Sequence, residues 1–392
     1  MKSLLISSIF FISIVLIGIT KIWAATFNID FLNLREAQPK TITLDAYLKI
    51  KAIDAWQFLN SRAFNISPVT IGVIDTGVTS FHPEFKGVNF GNSQANAKID
   101  FGVFNPDIEK VETHGTNVNG IIGANNISAT SSVNYVFPHM SGIVSGVNSL
   151  EYVLNNRRID LSGLGVSTLF SSVKNIFELA NSGAKVINLS FGGSVFNPAA
   201  LPTFFTTFSS YRDIVFVTAA GNNNIDAKKV IPAALGDNLD NVITVGGSTL
   251  LDGRESSSNF GSAVNIAAPA DAVHSPKFFE EPLDLIGDYE FFSGTSAATP
   301  IVTGVAAILK ALEPEYQKFT QGLLMSPAKI KEILIKSADP INTGEPDKLL
   351  GIDCFNFNPL VHTGCQLNAL RAIIWLFPPN TIILNQPIIE KQ

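Results

Sequence analysis

The stretch "PVTIGVID", residues 68–75, is an apolar run that does not alternate with polar residues and that ends in an aspartate. Three more runs of this kind follow: "AKVINLSF" at 184–191, "DIVFVTAA" at 213–220 and "NVITVGG" at 241–247. Strands that are apolar on both faces are typical of a parallel sheet covered by helices on both sides. The four runs therefore predict buried, parallel strands.

Helical patterns lie outside and between these runs. "STLFSSVKNIFELANSG", residues 167–183, has helical spacing and ends in Gly183, a typical C-terminal cap. "LDAYLKIKAIDAWQFL", residues 44–59, predicts a surface helix. Strands alternating with helices predict an α/β fold, with a doubly wound, mostly parallel sheet and helices on both faces in three α/β/α layers.

The composition and the charge limit the domain organisation and the partners. With 392 residues, 46% hydrophobic, the chain has enough apolar material for one large domain or two smaller ones. Because no linker divides the middle, we expect one domain at 44–376, an N-terminal extension at 26–43 and a C-terminal tail at 377–392. The net charge of -6 argues against a nucleic-acid binder. Separately, we expect the protein to be a monomer.

The N-terminus predicts export. Lys2 precedes a long, mainly apolar run, and the small residues Ala24 and Ala25 follow it. This layout is typical of a secretory signal peptide, here residues 1–25, cleaved near Ala24/Ala25, and it predicts a secreted or periplasmic protein. The alternative is a retained membrane anchor, because the apolar run approaches the length that spans a bilayer.

The chain has two cysteines, Cys354 and Cys365, near its C-terminus. In an exported protein this spacing favours a disulfide that closes a small loop. Two unpaired structural thiols are the alternative.

Polar residues follow the apolar runs, at the edge of an open parallel sheet where ligands and chemistry are usually found. The first run ends in Asp75, and a carboxylate there costs desolvation energy unless it is paired. The second ends in "SFGG", 190–193, which suits either a glycine turn or pairing with an extended peptide. Asn222 follows the third run. Turn or cap positions would also explain Asp75 and Asn222.

"ETHGTNVNGIIGA", residues 112–124, places Val118, Ile121 and Ile122 on one helical face. The pattern predicts a helix that begins near His114, with the imidazole at its N-terminus, where the helix dipole disfavours the imidazolium. A lone histidine is more often structural. The other histidines show no metal-ligand spacing, so metal-dependent hydrolysis is unsupported; they are His82, His139, His274 and His362.

Ser296 lies in "FFSGTSAATPIVTGVAAIL", residues 291–309, directly before an apolar helix. Pro300 is tolerated in the first turn of that helix, where the backbone amides have no intrahelical acceptor. Ser296 is therefore either a helix cap or a rigidly held nucleophile whose negative charge the helix dipole would favour. Asp75, His114 and Ser296 follow one another in one of the known orders of a catalytic triad.

Segments in this order resemble the subtilisin-like serine proteases, the peptidase S8 family. The similar segments are "IGVIDTGV…HPEF" (71–85), "HGTNVNGIIGA" (114–124), "VINLSFGG" (186–193), "FVTAAGNNN" (216–224), "IPAAL…NVITVGGS…SSNFGSAVNIAAP" (231–269) and "FFSGTSAATPIVTGVAAIL" (291–309). The ending "TGCQLNALRA" (363–372) is similar to the closing element of the family.

The resemblance implies an exported serine endopeptidase that hydrolyses proteins or peptides through an acyl-enzyme. It implies that Asp75, His114 and Ser296 form the triad, and that the Asn222 side chain and the Ser296 N–H bind the oxyanion. Activity should fall below the His114 pKa, about 6 to 7. The substrate-binding residues it implies are Ser190, Phe191, Gly192, Ala219, Ala220 and Gly221. No cofactor is expected for catalysis; structural calcium is common among relatives, but no ligand set is identifiable here.

The chain departs from the family pattern at Asn117, Asn119, Ala270 and Ala297. These residues favour one alternative, a catalytically silent subtilisin-like domain that binds peptides or a protein partner. A second alternative, an esterase or lipase, is disfavoured because "GTSAA" lacks the second glycine of Gly-x-Ser-x-Gly. The small, uncharged residues of "AAGN", 219–222, favour a broad or apolar P1 pocket.

Overall fold

The computed structural model describes residues 46–93, 106–125, 140–159, 166–194, 200–277, 289–355, 358 and 362–377. The predicted signal peptide with its cleavage site, the N-terminal extension and residues 378–392 of the predicted tail lie outside this part of the chain. The domain boundaries therefore stay predictions.

Eight of the described strands form one sheet, in the order β11-β12-β8-β7-β5-β3-β1-β2. Neighbours in it are parallel, except that β11 runs antiparallel to β12. Two small antiparallel pairs, β4 with β6 and β9 with β10, lie outside it. The strands are β1 (Val69–Asp75), β2 (Tyr152–Arg158), β3 (Val186–Leu189), β4 (Gly193–Ser194), β5 (Val215–Ala219), β6 (Val230–Ile231), β7 (Val242–Ser248), β8 (Ile266–Pro269), β9 (Val273–Pro276), β10 (Tyr289–Phe292), β11 (Asp339–Ile341) and β12 (Gly364–Gln366).

Helices cover both faces of the sheet. They are α1 (Ala52–Asn60), α2 (Pro106–Gly123), α3 (Val166–Asn181), α4 (Ala200–Ser210), α5 (Thr295–Ala311), α6 (Glu313–Phe319), α7 (Pro327–Ser337) and α8 (Ala369–Ile374). Within the described residues no single helix is long and apolar enough to cross a membrane, although α5 and α6, bent by 52° at their junction, pass that test when they are counted together.

Alternation along the strands divides the core between the two faces. On β5, Val215 and Val217 join the cluster that contains the buried residues of α1, α2 and α5, whereas Phe216 joins α3 and α4 on the other face. The Phe216 ring stacks on Phe208 of α4, with the ring centroids 4.0 Å apart. Because each strand buries side chains on both faces, its sequence is a continuous apolar run, and the predicted three-layer α/β/α fold is confirmed.

The four quoted runs form β1, β3, β5 and β7. The helix predicted at 167–183 forms α3, and Gly183 follows it with φ 87. The surface helix predicted at 44–59 is interrupted, because Lys51 adopts φ 59 just before α1. Tyr47 and Ile50, ahead of the break, are buried, whereas Leu48 and Gln57 are exposed, so the segment lies at the surface with one buried face and the prediction was wrong only in its continuity.

A disulfide joins Cys354 and Cys365, whose Cα atoms are 5.6 Å apart. It connects the segment after Leu350 to β12. Both cysteines are buried.

Candidate active site

A hydrogen-bonded pair, Asp75 and His114, lies at the end of β1. The Asp75 carboxylate is 1% exposed; its Oδ1 accepts from His114 Nδ1 and from the Thr76 N–H, both at 2.7 Å. Because an ionised carboxylate only accepts, Nδ1 carries the proton and Nε2 of the neutral ring is the free base. Asp75 Oδ2 is buried without a partner among the described residues.

Gly115 allows helix α2 to approach the turn after β1 closely. A Cβ at this position would lie 1.9 Å from the Gly77 carbonyl oxygen, and the Gly115 N–H donates to Thr76 Oγ1 at 3.0 Å. His114 is thereby brought against Asp75. It lies well inside α2, which begins at Pro106, so the prediction that the imidazole sits at a helix N-terminus was wrong.

Two opposing influences set the proton affinity of His114. Burial lowers the pKa of His114, but the charge and the hydrogen bond of Asp75 raise it, with a further contribution from Glu290. The net result is a pKa above the ordinary value of 6.5. The Phe292 ring meets the imidazole edge-to-face, with the centroids 5.2 Å apart.

Ser296 lies in the first turn of α5, after Thr295. The N-cap is Gly294, whose φ of 93 is a left-handed conformation that suits glycine, so Ser296 is not the cap. The Ser296 hydroxyl donates to the Ser190 carbonyl oxygen at 3.0 Å, and Ser190 Oγ donates to the Ser296 carbonyl oxygen at 3.2 Å. In this structure the serine therefore bonds to the end of β3 rather than to His114.

Thr295 fixes the orientation of the Asn222 amide. Asn222 Oδ1 accepts from the Thr295 N–H and from its hydroxyl, both at 2.9 Å. Because a backbone N–H can only donate, the oxygen of the amide must face Thr295 and the NH₂ group must point away. Thr295 Oγ1 also accepts from the Gly221 N–H at 3.1 Å.

These side chains share one cleft of about 550 Å³ at the carboxyl edge of the sheet. Of the predicted site residues, it is lined by His114, Ser296, Asn222, Ser190, Phe191, Gly192, Ala219 and Gly221. Asp75 lies beneath them.

Ala220 does not line the cleft, contrary to the prediction. It is fully buried; its N–H donates to the Val245 carbonyl, and its carbonyl accepts from the Asn259 amide. Both backbone groups of Gly221 are occupied as well, by Thr295 and Asn259. Ala220 and Gly221 therefore have the backbone N–H and carbonyl groups already hydrogen-bonded within the protein, and only Gly221 lines the cleft.

The family model of the subtilase family, Peptidase_S8, matches residues 67–352. The chain belongs to the subtilase family. Among curated relatives, thermitase of Thermoactinomyces vulgaris is 31% identical to this subtilase over 261 residues. The aligned part is 67% of this chain and 80% of thermitase. This subtilase is also 31% identical over 279 residues to alkaline serine exoprotease A of Vibrio alginolyticus, covering 71% of this chain but only 43% of that protein.

A solved structure supports the fold of this subtilase. The prenylagaramide maturation protease PagA is similar with a TM-score of 0.58 at 25% identity, over 82% of this chain and 98% of PagA.

The sequence did not single out Thr295, Phe292 or Lys229, which respectively hold Asn222, pack on His114 and line the cleft. Only Thr295 had a signal, as the neighbour of Ser296 in "GTS". Within the described ranges, no group of three or more His, Cys, Asp and Glu side chains is placed to hold a metal ion. The calcium expectation therefore still has no ligand set.

Proposed function

We propose that this subtilase is an exported serine endopeptidase that acts on proteins or peptides through an acyl-enzyme intermediate. The observation that carries the proposal is the 2.7 Å hydrogen bond between the buried Asp75 and His114, on a cleft that Ser296 and Asn222 also line. A carboxylate, an imidazole, a hydroxyl and an amide around one cleft are the groups that acyl transfer requires.

In the proposed reaction, substrate binding and serine activation are linked at Ser190. A peptide lying in the cleft offers an N–H to the Ser190 carbonyl, the acceptor that the Ser296 hydroxyl uses in the free protein. The hydroxyl then turns about its Cα–Cβ bond toward His114 Nε2. Hydrogen bonds of this kind are often absent before substrate is bound.

His114 next takes the proton from Ser296 Oγ as the oxygen attacks the scissile carbonyl carbon. Asp75 holds the ring in the required tautomer and stabilises its cation. The Asn222 NH₂ group and the Ser296 N–H donate to the oxyanion. His114 then protonates the leaving amine, and water releases the acyl group in the same way.

Export is supported by the N-terminal sequence pattern and by the disulfide between Cys354 and Cys365, since disulfides persist mainly in oxidising compartments. A secreted or periplasmic location follows from this proposal.

A silent, peptide-binding domain is the second candidate, and one observation favours it: the Ser296 hydroxyl is bound to Ser190 rather than to His114. Labelling with a fluorophosphonate separates the two, because the reagent modifies only an activated serine. Labelling of the wild type but not of Ser296→Ala or His114→Ala supports the peptidase. Folded wild-type protein that binds peptides yet is neither labelled nor able to cleave them would establish the silent domain.

A further inference from the structure

One part of the cleft is defined by the chemistry of the proposed function, on which this inference rests. The residue whose carbonyl Ser296 attacks is called P1, and in the proposed reaction it lies in the cleft next to Ser296. The stretch 190–193, Ala219 and Gly221 line the cleft there. Val230 lies at the far side of this space. A Cβ on Gly192 would lie 2.7 Å from Val230 Cγ1, and a Cβ on Gly221 would lie 3.5 Å from the same atom.

The pairing of β4 with β6 fixes this arrangement. Gly193 pairs with Ile231 and Ser194 with Val230, so the residues around Val230 are held against the stretch that leads away from Ser190. Ile225 and Ala219 line the same space. The wall formed by Ala219, Ile225 and Val230 is therefore small or apolar and carries no charge.

The exception is Lys229, which precedes Val230 and lines the cleft. Its ammonium group makes no ion pair within the described residues. By contrast, Lys228 forms an ion pair with Asp237 at 3.1 Å and does not line the cleft. The Asp226 carboxylate accepts from the Lys228 N–H. A cation without an ion-pair partner among the described residues is thus available to a substrate in the cleft.

The charge that acts on His114 is negative. Glu290 of β10 acts electrostatically on His114, whose ring also packs against Phe292 of the same strand. An acidic substrate side chain is therefore repelled near His114 and attracted near Lys229.

We propose that Lys229 gives this subtilase a preference for an acidic residue, glutamate or aspartate, at P1. The aliphatic part of the P1 side chain packs against Ile225 and Val230, and its carboxylate pairs with the Lys229 ammonium. Lys229 is solvent-exposed, so the pair has the modest strength of a surface ion pair. That strength corresponds to a roughly two- to fivefold preference, which salt weakens.

The test compares peptides that differ only in glutamate or glutamine at P1, because the two side chains have the same shape and differ in charge. We expect kcat/KM for the wild type to favour glutamate roughly two- to fivefold at low salt. The ratio should fall to about one in Lys229→Gln, invert in Lys229→Glu and shrink in about 0.5 M NaCl. Lys228→Gln, which removes the same charge from the neighbouring position, is the matched control and should keep the wild-type ratio.

A wild type that does not favour glutamate, or a Lys229→Glu variant with the wild-type ratio, would overturn the assignment while leaving the peptidase proposal intact. Loss of the preference in Lys228→Gln to the same extent would also overturn it, because the effect would then come from net charge. If the wild type cleaved no peptide and took no fluorophosphonate label, the proposed function and this inference would fall together.

Discussion

At the scale of single residues, Thr295 orients the side chain of Asn222, the proposed oxyanion donor, and has no reacting role of its own in the proposed mechanism. Replacing it by valine keeps its shape and its N–H but removes the hydroxyl that donates to Asn222 and accepts from Gly221. A lost hydrogen bond costs about 1 kcal/mol, and more when a buried group is left unpaired. We therefore expect kcat of Thr295→Val to fall about tenfold or more, with little change in KM.

Steady-state kinetics with a peptide substrate measure this effect. Thr295→Ser, which keeps the hydroxyl, should retain most of the activity. Equal losses in the valine and serine variants would show that the methyl group matters, and not the hydrogen bonds.

Glu290 sets part of the pH dependence. Its charge stabilises the imidazolium of His114 and so raises the pKa of His114. The proposed base is the neutral ring, so activity rises with pH through that pKa. In Glu290→Gln the pKa of His114 is lower, and the acidic limb of the kcat/KM profile moves to lower pH, with the alkaline plateau unchanged. A limb that stays in place would contradict the electrostatic role of Glu290.

The raised pKa of His114 also makes the stability of the folded protein depend on pH, but in the opposite direction to activity: activity rises with pH, whereas this stabilisation is lost. Since the pKa of folded His114 is raised, its contribution to the free energy of unfolding is complete below 6.5 and is lost as the pH rises through the raised value. Glu290→Gln should therefore lower the melting temperature more at acidic than at alkaline pH.

The sequence singled out the residues of the proposed mechanism because that chemistry requires particular side chains, placed at strand ends for Asp75 and Asn222 and in a helix start for Ser296. Thr295 and Lys229 are different, since many side chains are compatible with their backbone positions. Thr295 matters through atoms of Asn222 and Gly221, more than seventy residues away, and only the folded chain reveals that contact.

At the scale of elements, the position of His114 depends on how α2 packs against β9. Gly120 lies at this contact, and a Cβ there would be 2.2 Å from Pro276 Cδ. Overpacking of this kind costs about 1–3 kcal/mol. Gly120→Ala should therefore lower the melting temperature and kcat together, because the helix that bears His114 must shift.

Pro276→Ala in the same chain removes the colliding ring atoms, and the double variant should recover both quantities. Alanine also favours the helix over glycine by about 1 kcal/mol, which assists the recovery. Thermal unfolding and kinetics of the two single variants and the double variant form the double-mutant cycle. Additive losses would show that Gly120 acts through something other than its contact with Pro276.

The pattern of burial in each element determined whether the sequence predicted it. The four apolar runs were recognisable because both faces of β1, β3, β5 and β7 are covered. The strand β2 was not, because "YVLNNRR" places Asn155, Asn156 and Arg157 in buried positions, where they satisfy one another and nearby groups. The start of α2 was missed although Pro106 with the nearby Asp107 and Glu109 is a typical helix beginning.

At the scale of the whole molecule, the order of the strands places the disulfide away from the residues of the candidate active site. Asp75 ends β1 and Asn222 follows β5, whereas Cys365 lies on β12, which β8 and β7 separate from β5. A structural displacement of β12 would have to be passed on through β8 and β7 before it moved β5 and the cleft. The disulfide should therefore support folding without adjusting the site.

We expect the double variant Cys354→Ala/Cys365→Ala to lose about 2–3 kcal/mol of unfolding free energy, because the crosslink no longer restricts the unfolded chain. At temperatures well below the transition its kcat/KM should equal that of the wild type. Urea unfolding with and without a reductant measures the first quantity, and the reductant should destabilise the wild type but not the variant. A variant with full stability but reduced kcat/KM would mean that the edge of the sheet transmits strain to the cleft, because the site would then depend on a crosslink two strands away.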